Sequence, residues 1–108
     1  MNELYHPHRE TLKLHQILYA LADPSRLRMI MELTRTTEIA STGFQSVKAA
    51  RGTIAYHLKT LRLAGITRTR FVGTKRRVSL RRRDLDGRYP ELLDCPFLGW
   101  LKSIRRRV

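Results

Sequence analysis

Leu14, Ile17, Leu18 and Leu21 recur at helical spacing on one face and predict a first helix over residues 9–22. Asp23-Pro24 stops it. Asp23 suits a capping position, and Pro24 suits the first position of a new helix because its missing N–H is not needed there. A second helix over residues 24–35 follows, with Leu27, Ile30, Met31 and Leu33 apolar. Residues 36–49 have no period; a short helix near 42–46 and a turn are expected there. The clearest helix covers residues 53–64, starts nearer 47–51, and ends at Gly65. Ile54, Leu58, Leu61 and Leu63 face inward, while Arg51, Thr53, Tyr56, His57, Lys59 and Thr60 are available outside.

The period then changes. Residues 66–72 alternate as a strand does, Gly73-Thr-Lys-Arg is a turn, and Arg77-Val-Ser-Leu-Arg is a second strand. Residues 84–89 read as a connector. Pro90 opens a last helical region to residue 106, in one piece or in two because Pro96 breaks the backbone ladder. Leu93, Phe97, Leu98, Trp100, Leu101 and Ile104 make its apolar stripe. Residues 1–8 read as a flexible arm. The order of two helices, an amphipathic helix and a hairpin predicts a mainly α fold with a small β-hairpin (α+β), a winged helix-turn-helix. It forms one domain over residues 1–108, with its central core and wing at 24–83. The stripes on residues 14–21 and 93–104 exceed what one small core needs; both could pack inside the protomer, and the favoured reading makes 9–22 and 90–106 dimerisation helices through Leu14, Ile17, Leu18, Leu21, Leu93, Phe97, Trp100, Leu101 and Ile104.

Charge gives this framework a partner. Between residues 39 and 83 there is no Asp or Glu, but there are twelve Lys and Arg. The whole chain has a net charge of +13, and seventeen of its 22 basic residues are Arg, whose planar fork suits phosphates and guanine edges. A positive surface of this kind fits double-stranded DNA. An α-helix enters the major groove with its first turns at base edges, and a hairpin lies beside it. Arg51, Thr53, Tyr56 and His57 are the candidates at or near bases, Lys59 and Thr60 the candidates at phosphates, and Gly52 allows close approach of the backbone to a phosphate; Tyr56 also has a half-buried reading, and His57 a packing or capping one. On the wing, Arg68, Arg70, Lys75, Arg76 and Arg77 reach phosphates or the minor groove. Arg26 has a structural reading, as partner of Asp23 or Glu32, and Arg28 a DNA-backbone reading.

Residues 21–33, Leu-Ala-Asp-Pro-Ser-Arg-Leu-Arg-Met-Ile-Met-Glu-Leu, resemble the opening signature of the arsenical-repressor-type (ArsR) transcription regulators. Residues 52–66, Gly-Thr-Ile-Ala-Tyr-His-Leu-Lys-Thr-Leu-Arg-Leu-Ala-Gly-Ile, are similar to that family's recognition helix, and residues 73–81 to its wing. Gly52 and Ala55 depart from the small polar residues usual there. The resemblance covers roughly residues 20–83 and implies a homodimeric repressor that binds a palindromic operator, with its first and last helices forming the dimer interface.

The metal-sensing part of that resemblance is missing. Ser41 and Thr42 stand where relatives carry a cysteine pair, and the last helix has no His. His6, His8, His15 and Cys95 remain as soft ligands, but no metal site or cofactor is expected. The single cysteine allows no internal disulfide. Cys95 has a redox reading and a buried, inert one; an apolar effector near Phe97 and Trp100, or no effector at all, also stays open. There is no catalytic constellation and no bilayer-length apolar run, so a non-enzymatic, cytoplasmic protein is expected. The rival readings are a non-specific architectural or RNA-associated basic protein, and a protein-interaction module.

Overall fold

The computed structural model describes residues 4–94. A 3-10 turn at Arg9–Thr11 leads into α1 (Leu14–Ala22) and α2 (Pro24–Leu33). A two-residue strand β1 (Ile39–Ala40), helix α3 (Arg51–Leu63), strands β2 (Thr67–Val72) and β3 (Lys75–Leu80), helix α4 (Arg82–Arg88) and a 3-10 turn at Leu92–Asp94 complete the order. The strands form an antiparallel sheet in the order β1-β3-β2. This is the expected α+β winged helix-turn-helix.

The core is assembled from every helix and from β3. Ile17 and Leu21 of α1, Leu27, Ile30 and Leu33 of α2, Leu61 of α3, Val78 of β3 and Leu85 of α4 are all buried in one cluster. Between α1 and α2 the expected cap forms: the Asp23 carboxylate accepts hydrogen bonds from the Ser25 and Arg26 N–H groups at 2.8 and 3.1 Å. Burial works to raise the Asp23 pKa. The two N–H groups and the Arg26 charge outweigh it and hold the carboxyl below its usual range. Gly65 ends the recognition-helix segment with a φ of 84°, and a Cβ there would lie 2.1 Å from Leu12 Cδ2, so glycine is required on both counts. The β2–β3 turn has Gly73 at a φ of 63°, as a two-residue hairpin with glycine first needs.

The structure corrects several expectations. The first helix is split: Leu12 and Lys13 are extended, Leu12 is buried beneath Gly65, and its carbonyl accepts from Arg88 Nη2 and the Tyr89 hydroxyl at 3.1 and 2.7 Å. A continuous helix would engage that carbonyl internally. Residues 4–8 are not a free arm. Thr69 N–H donates to His6 Nε2 at 3.0 Å, Arg81 Nη1 to the Pro7 carbonyl at 2.8 Å, and Arg62 Nη1 to the Tyr5 carbonyl at 2.5 Å. The connector at 84–89 is instead largely helical, as part of α4, with Leu85 buried as its anchor. Leu63 turns outward at 43% exposure.

No helix forms at residues 42–46, because a side chain from α2 takes over their backbone groups. Ser41 N–H pairs with the Arg76 carbonyl, and Gly43 N–H turns back to the Ala40 carbonyl. The Glu32 carboxylate then accepts from Gln45 N–H at 3.1 Å, from Ser46 N–H at 3.0 Å and from the Ser46 hydroxyl. Burial works to raise the Glu32 pKa, but these bonds and the Arg35 charge outweigh it, so the carboxyl lies below its ordinary value. A carboxylate with a lowered folded pKa stabilises fully above the ordinary glutamate value of ~4.3, and the contribution is lost as pH falls through the folded value. Glu32→Gln is expected to lower stability by about 1 kcal/mol at neutral pH, with the gap from the parent closing at an acid pH below the lowered folded value. Urea unfolding at both pH values measures this; an equal gap at both would show that the charge of Glu32 is not what holds the loop.

Candidate nucleic-acid interface

Helix α3 begins without a side-chain cap, since Ala50 offers no acceptor. Its first-turn N–H groups are therefore open to an anion, with no capping oxygen in competition. Arg51, Gly52, Thr53, Tyr56 and Lys59 are exposed, Tyr56 by 59%. Thr60 is half-buried, and its hydroxyl donates to the Tyr56 carbonyl at 3.0 Å. Ile54, Leu58 and Leu61 pack on the core side.

His57 is the residue that moves. It is buried at 8% exposure, not outward-facing, and its Nδ1 lies 3.3 Å from Arg26 Nη1. Arginine only donates, so Nδ1 accepts and the ring proton sits on Nε2. The spacing of Ile54, His57, Leu58 and Leu61 is the inward-facing set of a helix, so the sequence did carry this signal. Arg26 is buried at 6% exposure and also donates from Nε to the Ala20 carbonyl at 2.8 Å. Its role is structural, as one reading of the sequence had it, but its acceptors are a carbonyl and an imidazole rather than the side chains of Asp23 or Glu32.

On the wing the cations fall into two groups. Arg70 makes a two-pronged contact with Glu38, at 2.5 Å from Nε and 2.8 Å from Nη2, and Arg77 Nε lies 3.9 Å from the same carboxylate. The Arg70 hydrogen bond, with the charges of Arg70 and Arg77, holds the Glu38 carboxyl below its usual range, and Glu38 raises the Arg70 guanidinium in return. Arg68 is 3.9 Å from Asp84. Lys75 and Arg76, at the tip, have no carboxylate partner among the described residues, and Arg76 lies over the Phe71 ring, 5.4 Å from its centroid. Glu38 escaped the sequence reading because it stands one residue before the acid-free stretch, and a two-residue strand leaves no period to place it.

The recognition helix and the wing tip share a groove. Arg51 and Lys59 of α3 and Arg76 of β3 line one cavity of about 350 Å³ together with the 41–49 loop, and no acidic side chain lines it. A third arginine, Arg62, which was not singled out in the sequence, lies there too and is 9% exposed. Burial, then the nearby charge of Arg76, pushes its guanidinium below the ordinary arginine value.

The proposed dimer residues divide. Ile17, Leu21 and Leu93 are buried inside the protomer, at 0, 2 and 6% exposure, because they face α2, α3 and α4 rather than solvent. Leu14 and Leu18 are each 41% exposed, beside Tyr19 at 69%. Phe97, Trp100, Leu101 and Ile104 lie outside the described residues, as do Cys95 and most of the region 90–106. His6 Nε2 is engaged by Thr69, and among the described residues no three His, Cys, Asp or Glu side chains converge on a common point. Among them, too, no helix is long and apolar enough to cross a membrane.

No family model matches the chain, and no curated protein does. Solved structures do. An ArsR-like transcriptional regulator from Rhodococcus sp. RHA1 is 23% identical, with a TM-score of 0.60 over 88% of this chain and 92% of that one. A possible transcriptional regulator for arsenical resistance is 26% identical, with a TM-score of 0.61 over 89% of this chain and 98% of that one. A further ArsR family transcriptional regulator is 21% identical, with a TM-score of 0.62 over 86% of this chain and 92% of that one. Over most of its length, then, this chain has the winged-helix fold of the ArsR-family transcriptional regulators, the family that its residues 20–83 resemble.

Proposed function

We propose that this chain is a sequence-specific, DNA-binding transcription regulator, a homodimeric repressor of the ArsR type that works in the cytoplasm without a cysteine metal site and without enzymatic activity. The observation that carries the reading is the shared groove: Arg51 and Lys59 on α3 and Arg76 at the wing tip face one cavity with no acid in its lining. In this reading the first turns of α3 enter the major groove, where Arg51, Thr53 and Tyr56 meet base edges, with Gly52 close to the backbone. Lys59, Lys75 and Arg76 meet phosphates, with Arg68, Arg70 and Arg77 behind them. His57 acts from inside, holding α3 against Arg26. The exposed Leu14, Leu18 and Tyr19 supply part of a dimer surface, and a twofold protein calls for a palindromic operator.

Selection from a randomised duplex pool at near-physiological salt tests the reading. A recovered palindrome supports it. Recovery of random sequence would leave a non-specific architectural or RNA-associated basic protein as the better account.

Two single substitutions separate the roles. Arg51→Ala is expected to relax sequence preference, costing about 1–3 kcal/mol on the selected site and much less elsewhere. Lys75→Ala is expected to weaken all duplexes about equally and to reduce the salt slope by about one. Fluorescence anisotropy over a salt series reads both, and if both variants lose only the non-specific component the assignment of Arg51 is wrong. Glu38→Gln should act in the opposite sense. Releasing Arg70 and Arg77 is expected to tighten binding several-fold at low salt and to steepen the salt slope, whereas unchanged affinity would place those arginines beyond reach of the backbone.

A further inference from the structure

We propose that the groove between α3 and the wing is also the binding site of a small amphiphilic carboxylate, an acid with an aryl or short alkyl body, and that this ligand and DNA exclude one another. The exclusion rests on the DNA-binding reading above; the ligand site does not. The groove has two kinds of wall. Phe44, Val47, Ile54 and Leu58 make an apolar floor, and Arg62 and Arg76 supply positive charge with no acid opposite. Its volume of about 350 Å³ lies within the ~300–1,000 Å³ typical of small-molecule pockets.

Each simpler occupant leaves one wall unsatisfied. A DNA phosphate can meet the cations but brings nothing apolar to the floor. A neutral apolar molecule covers the floor but leaves the cations unanswered. Arg62 is the sharpest demand. The residue is 9% exposed, and its guanidinium donates from Nη1 to the Tyr5 carbonyl, forms no salt bridge among the described residues, and sits close to the like charge of Arg76. A buried cation beside a second cation is stabilised by an anion that reaches both. A carboxylate on an apolar body satisfies both walls at once. Because Arg76, Arg51 and Lys59 also face the groove, the ligand would occupy cations that DNA needs.

The test uses the full chain, with 2-naphthoate as the probe and 2-naphthylmethanol and acetate as controls. Calorimetry without DNA should show 2-naphthoate binding at least ten-fold tighter than either control. Ala55 is exposed and lines the groove, so Ala55→Trp fills the site without touching the core, and should weaken 2-naphthoate at least ten-fold at an unchanged unfolding midpoint. Arg62→Gln should also weaken it, with thermal melting to check the Tyr5 contact. Equal affinity for the alcohol, no binding of the acid, or binding undiminished in Ala55→Trp overturns the site. With a bound duplex, 2-naphthoate should release DNA over the range in which it binds the free chain, and the alcohol should not. Release by neither, with the acid bound, overturns the exclusion. A chain that binds the acid but no duplex overturns the DNA reading alone; one that binds duplex but no acid overturns only this proposal.

Discussion

One buried guanidinium sets how the recognition helix sits. Arg26 projects from α2, donates to the Ala20 carbonyl near the end of α1, and donates to the imidazole of His57 on α3. Three helices therefore meet at one rigid, planar fork. An arginine buried at 6% exposure without these acceptors would be costly, by several kcal/mol, so alternative helix angles that lose them are strongly disfavoured. The apolar core supplies the bulk of the burial, but apolar contacts slide easily. The fork supplies direction, and the exposed face of α3 inherits its orientation from it.

The wing shows a second constraint, one that works against its own partner. The register places Arg70 directly across from Arg77, and like charges opposed across two strands destabilise a hairpin. Glu38, just before β1, answers both. The same carboxylate that lets the basic strands pair therefore lowers the charge they present. Lys75 and Arg76 sit opposite Val72 and Phe71 instead, with no cross-strand cation, and they stand without a carboxylate at the tip among the described residues. The positive field is concentrated where the hairpin has no need to neutralise it.

Much of this could be read from the sequence, and the failures share a cause. Helices α2 and α3 and both wing strands follow from local period, capping and glycine stops, and they appear within a few residues of where those signals place them. What was missed depends on partners distant in sequence. The 42–46 segment stays unwound because Glu32 holds it, Leu12 breaks the first helix because Arg88 and Tyr89 bind its carbonyl, and β1 is too short to have a period. His57 takes the packing position of its two readings, on the inner face that its spacing with Ile54 and Leu61 marks; its polarity alone points outward, because the buried donor that satisfies it lies 31 residues away.

The segment before the first helix turns a weakness of the sheet into a closed surface. Strand β2 is an edge of the order β1-β3-β2, and the outer N–H of Thr69 would be open to any passing strand. The His6 imidazole accepts that N–H, as only an unprotonated ring nitrogen can. Burial, followed by the charges of Arg62, Arg81 and Arg68, keeps the His6 pKa below its ordinary value, despite an opposing bond with Leu4. A histidine thus does the work of a missing fourth strand. Shortening the chain at this end would uncover a β-edge and invite strand-to-strand self-association.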